Sequence, residues 1–166
     1  MNKILYYIIV TIIFVSCKNQ NTENASSFIG TWELISRIDK SNLDSIITEP
    51  SLGSDPIAIL MYDSFGNVSA QIMKRNRTDS ISPIAKSNSN NSTSFNGYDA
   101  YFGTYSIDYS KYQVKHLING ALDKTILGKT LIRNYFFSND TLRLFFSTTN
   151  GSIPVTKTLS WVRVKK

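Results

Sequence analysis

The stretch KTLIRNYFFSNDTLRLFFS, Lys129 to Ser147, decides the fold. Two runs, Lys129–Phe137 and Thr141–Ser147, are rich in Ile, Leu, Tyr, Phe and Thr, and each is of strand length. Between them stand only Ser138, Asn139 and Asp140, residues that favour a tight turn. The pair therefore predicts an antiparallel hairpin. Side chains alternate across a strand, so Leu131, Arg133, Tyr135 and Phe137 share one face, and Thr130, Ile132, Asn134 and Phe136 the other. In the second run Leu142, Leu144 and Phe146 are expected to point inward and Arg143 toward water.

The same pattern extends outward in both directions. Six further strand segments are predicted: Gly30–Ile38, Ile57–Asp63, Asn67–Met73, Ala100–Tyr109, Tyr112–Asn119 and Val155–Val164. Several connections are short and turn-like: Asp63–Asn67, Tyr109–Tyr112 and Thr149–Ser152. Successive hairpins make sequence neighbours antiparallel, and eight such strands in one domain predict an all-β, up-and-down antiparallel barrel, a closure that leaves no exposed sheet edge. One stretch breaks the pattern. Arg75 to Asp99 is polar, reads KSNSNNSTS from Lys86, and is expected to be a long loop with at most a short helix near Pro83–Ser87 or just before Tyr98.

The N-terminus has a different character. MNKILYYIIVTIIFVSC carries Lys3, an apolar run from Ile4 to Val15, and a small residue before Cys17. This is the layout of a secretory signal peptide, too short for a comfortable membrane span. The chain's single cysteine falls where cleavage would occur, and FVSC resembles a bacterial lipobox with Phe14 in a place where Leu is common. Residues 1–16 are thus expected to be a lipoprotein signal peptide. Residues 17–28 are read as lipidated Cys17 and a tether, and residues 29–166 as the barrel. The polar stretch Lys18–Ser27 could span at most about 33 Å. A location in the bacterial cell envelope, lipid-anchored to a membrane, follows as an expectation. With one cysteine in 166 residues, no intrachain disulfide can form. The net charge of +6 is spread along the chain, with only the tail RVKK dense, so a nucleic-acid partner is not expected.

The candidate chemistry is sparse. His116 is the only histidine, on a face with Tyr112, Val114 and Ile118 that alternation assigns to the interior. Three readings are open for it: a core imidazole held by a tyrosine or carbonyl, a polar ligand contact, or a general acid–base candidate. Arg133, if inward, needs a carboxylate, carbonyls or an anionic ligand end as its partner. Tyr101 and Tyr105 flank Gly103 on one face and are either core aromatics or cavity hydroxyls. Tyr62, Gln71 and Tyr135 complete the expected ligand-binding set of Tyr62, Gln71, Tyr101, Tyr105, His116, Arg133 and Tyr135. No nucleophile–base set assembles, and no metal-ligand spacing or phosphate loop occurs, so neither metal nor cofactor is expected.

Several stretches together resemble the bacterial lipocalin-like domain family: GTWELIS (Gly30–Ser36), LMYDSFGNVSAQIMKRNR (Leu60–Arg77), YDAYFGTYSID (Tyr98–Asp108), VKHLINGAL (Val114–Leu122), GKTLIRNYFF (Gly128–Phe137) and LSWVRV (Leu159–Val164). The resemblance implies an eight-stranded barrel with a small-molecule cavity, without implying one activity. It also implies that Arg163 of the last strand stacks on Trp32 of the first. The chain departs from the pattern at Leu122–Gly128, where relatives often carry Pro and Trp, and in the polar loop Lys86–Ser94. The expectation is a membrane-anchored binder of a small, largely apolar molecule with a polar or anionic end. The alternatives are an isomerase, cyclase or hydrolase using His116, and an envelope module without ligand.

Overall fold

A computed structural model describes residues 25–48, 51–77, 97–150 and 152–165. The expected signal segment, Cys17, most of the expected tether and most of the polar loop lie outside them. Eight strands form one closed barrel in sequence order: β1 (Gly30–Ser41), β2 (Ile57–Tyr62), β3 (Asn67–Met73), β4 (Tyr98–Asp108), β5 (Gln113–Ala121), β6 (Thr130–Ser138), β7 (Thr141–Asn150) and β8 (Ile153–Arg163). Every neighbouring pair is antiparallel, and β8 closes on β1. All eight predicted segments are strands. Short 3-10 turns at Ala25–Ser27 and Lys124–Ile126 are the other regular elements described.

Two β-bulges shift the alternation. The first sits between Leu34 and Ser36, leaving Ile35 exposed and unmatched. Before it Trp32 and Leu34 point inward; after it Arg37, Asp39 and Ser41 do. This is why β1 runs three residues past its expected end: Asp39 faces inward opposite Lys157, and the pairing continues to Ser41 and Val155. The second bulge lies where Phe102 pairs with Gly120 and Gly103 with Ile118. A Cβ on Gly103 would stand 1.9 Å from the Leu117 carbonyl oxygen, so only glycine allows that approach. Tyr112, expected at the start of the inward face of β5, is instead an exposed turn residue with φ 52°.

One end of the barrel is packed solid. Phe28, fully buried, plugs it and meets Tyr62, Tyr135 and Phe137 edge-on at centroid distances of 5.5, 4.9 and 5.0 Å. Burial of each such ring contributes about 1.5–3 kcal/mol. The indole Nε1 of Trp32 donates to the Phe28 carbonyl at 2.8 Å and so fixes the entering chain. The guanidinium of Arg163 lies 4.1 Å from the Trp32 ring and donates to the carbonyls of Ser27 and Ile29. Gly30, at φ +137°, makes room for it, since a Cβ there would come within 2.6 Å of Arg163 Nη1.

Candidate functional site

Above the plug the interior changes from packed to open through one polar layer. The hydroxyl of Tyr62 lies 2.8 Å from His116 Nε2, and that of Tyr101 lies 2.9 Å from Nδ1. β2, β4 and β5 supply the three side chains, each from the inward parity of its strand. His116 is 0% exposed. Burial, with the nearby Arg133 charge second, lowers its pKa to about 3, so the imidazole is neutral. Burial also raises the pKa of both tyrosines, which therefore keep their protons.

Beyond this layer lies a small cavity of about 80 Å³. At roughly 10–15 Å³ per water, it has room for a handful of solvent-sized groups. Its walls are mostly apolar, from Leu60, Ala70, Leu131, Leu144, Phe146 and Leu159. Tyr101, Arg133 and Trp161 add donors, and Arg37, Asp99 and Lys157 add charge.

Arg133 faces the cavity from β6. Its guanidinium carbon stands 3.8 Å from the centre of the Phe146 ring, and Nη1 donates to the Ile132 carbonyl at 3.2 Å. It forms no ion pair among the described residues. Burial lowers its pKa, against which the Tyr101 and Tyr62 hydroxyls act. A guanidinium remains a cation at neutral pH even so.

A second polar cluster lies toward the end opposite the plug, where β1 finishes. Arg37 donates to Asp39 through Nε at 3.0 Å and Nη2 at 2.8 Å, and Lys157 Nζ lies 3.8 Å from Asp39 Oδ2. All three side chains are buried. Asp99, the second residue of β4, has a buried Oδ1 with no hydrogen-bond partner, and burial raises its pKa. Trp161 is buried on the cavity wall with its indole N–H likewise unpartnered. Among the described residues no group of His, Cys, Asp and Glu could hold a metal ion.

The residues expected to bind ligand therefore divide. Tyr101 and Arg133 line the cavity. His116 sits behind Tyr101, fully buried and held by two tyrosines, and does not line the cavity. Tyr62 is the far side of the same layer. Tyr105 and Tyr135 belong to the packed end: Tyr105 Oη donates to the Asp63 carbonyl at 3.0 Å, and Tyr135 packs on Phe28. Gln71 borders the cavity, but it is an exposed residue between inward Ala70 and Ile72, and its amide oxygen accepts from Tyr98 Oη at 2.9 Å. Trp32 and Arg163 meet at the packed end. The expected site missed Arg37, Asp39, Asp99, Lys157 and Trp161. Lys157, Leu159 and Trp161 share a parity that could have been read directly, whereas Arg37 and Asp39 were hidden by the bulge at Ile35.

A closed eight-stranded meander with one packed end and a small polar-ended cavity defines a calycin-type barrel. The chain belongs to the lipocalin-like domain family, whose sequence profile matches residues 29–164. Among solved structures, it is similar to one titled REP1-NXSQ fatty acid transporter at 14% identity and a TM-score of 0.38, covering 86% of this chain and 99% of that one. No curated protein matches it in sequence.

Proposed function

We propose that this protein is a lipid-anchored binder of the bacterial cell envelope that holds a small, largely apolar molecule by an anionic or carbonyl end. The observation that carries the reading is Arg133: a half-buried guanidinium facing a mostly apolar cavity with no carboxylate paired to it among the described residues. A charge partly withdrawn from water without an ionic partner is costly, and a ligand oxygen would relieve the cost. The unpartnered Trp161 N–H supports the same polarity. The volume limits what the described cavity can enclose to the polar end and a short apolar segment. Catalysis by His116 gains no support from a neutral imidazole without access to the cavity.

The anchor rests on the apolar run ending at Cys17. Cys17→Ser is expected to abolish lipid labelling and release the protein from membranes; a variant still labelled and bound would refute the anchor. The ligand reading is tested by mass spectrometry of molecules extracted from the purified protein. A carboxylate or carbonyl compound in near-stoichiometric amount is expected. Recovery of a cationic amphiphile in that amount would overturn the proposal.

A further inference from the structure

Tyr62 is buried, and the hydrogen bond to His116 Nε2 is the one its hydroxyl makes among the described residues. A neutral imidazole has one N–H and one bare nitrogen, so the two tyrosines cannot have the same role toward it. If Nε2 carried the proton, Tyr62 would accept, and its own hydroxyl proton would be left buried without an acceptor. If Nδ1 carries it, Tyr62 donates to Nε2 and every buried proton of the layer is used. Tyr101 then accepts from Nδ1–H and its own proton has somewhere to go, because Tyr101 lines the cavity. An unpaired buried hydroxyl is costly enough to favour the second arrangement roughly fivefold or more.

We infer that Tyr62 donates to His116 Nε2, that His116 Nδ1–H donates to Tyr101, and that the Tyr101 hydroxyl proton is thereby directed into the cavity as a donor for the ligand's oxygen. His116 is a positioning residue: it fixes the direction of a hydrogen bond that it does not itself make. A hydroxyl that accepts one hydrogen bond becomes a better donor in the next. Tyr101 and Arg133 then present donors from the same cavity wall, which favours an acceptor such as a carboxylate or carbonyl over an amine. The ligand half of this inference rests on the function proposed above; the direction of the hydrogen bonds does not.

The chain's single histidine makes the test direct, since one imidazole gives one set of ring-nitrogen signals. Long-range ¹H–¹⁵N correlation of ¹⁵N-labelled full-length protein at pH 7 is expected to show a protonated Nδ1 and a bare Nε2. A protonated Nε2, or averaged shifts, would overturn the inference. Tyr62→Phe removes the donor that fixes the tautomer. It is expected to move both nitrogen signals toward the average, and a merely space-filling Tyr62 would leave them in place. Titration with hexanoate then addresses the ligand half: Tyr101→Phe is expected to weaken binding roughly three- to tenfold. Unchanged hexanoate affinity in Tyr101→Phe, with the tautomer as expected, would refute the donor role of Tyr101 while leaving the hydrogen-bond direction established.

Discussion

Arg133 holds its guanidinium carbon 3.8 Å from the centre of the Phe146 ring, inside a largely apolar cavity. The ring face offers a cation about 0.5–2 kcal/mol, well short of what a lost hydration shell is worth. This arrangement is a stability cost that the proposed binding role would explain. Arg133→Met should therefore leave stability unchanged within about 1 kcal/mol or raise it, since apolar replacement of a poorly compensated, partly buried charge is often neutral or stabilising. Urea unfolding checks this. A loss of several kcal/mol would make Arg133 a structural residue.

The packed end should behave in the opposite way. Arg163 covers Trp32 and ties down the carbonyls of Ser27 and Ile29. Summing a cation–π contact and two hydrogen bonds, Arg163→Ala should cost about 2–4 kcal/mol. Gly30→Ala should also destabilise, because its Cβ would collide with Arg163 at a φ that alanine rarely adopts. Neither change should alter ligand affinity, as both lie below the Tyr62–His116–Tyr101 layer. Thermal melts with and without ligand separate the two effects.

Acid should weaken the fold through His116. Its folded pKa of about 3 lies below the ordinary 6.5, so the unfolded state takes up a proton that the folded state refuses. The contribution is fully present above pH 6.5 and is lost as pH falls toward 3, at about 1.4 kcal/mol per pH unit. Asp99, with its raised pKa, titrates in the opposite sense, so the comparison needs a variant control. His116→Gln should flatten the fall in unfolding free energy between pH 6.5 and 5. An equal slope in both proteins would show that the imidazole is not held neutral.

The ion cluster opposite the plug carries its own expectation. Asp39 is the shared partner of Arg37 and Lys157, and all three are buried. Asp39→Ala would remove that partner from both cations and should cost about 3–5 kcal/mol. Denaturant unfolding checks it; a cost under about 1 kcal/mol would mean that solvent reaches the cluster.

What the sequence discloses and what it hides follow from one geometric rule. Alternation over Lys129–Ser147 places Arg133 and Phe146 on the inner face, and it does so because those strands pair without interruption. The same rule fails on β1, where one extra residue at Ile35 turns Arg37 and Asp39 inward. Neither a glycine nor a proline marks that bulge. Alternation also says which face a side chain takes, not how far along the barrel it lies. Tyr105 and Tyr135 share the parity of Tyr101 and Arg133, yet they belong to the plug. The boundary between plug and cavity is set by Phe28, which enters from outside the strands to fill one end.

Calorimetric titration of the full-length protein with hexanoate and with hexylamine, alongside Arg133→Ala, tests the central claim most directly. The two probes share an apolar body and differ in the sign of the polar end. Hexanoate should bind at one site, hexylamine should not, and Arg133→Ala should weaken hexanoate roughly tenfold to a hundredfold, the worth of a charged hydrogen bond. Equal binding of both probes, or hexanoate affinity indifferent to Arg133, would contradict a site built to hold an acceptor end.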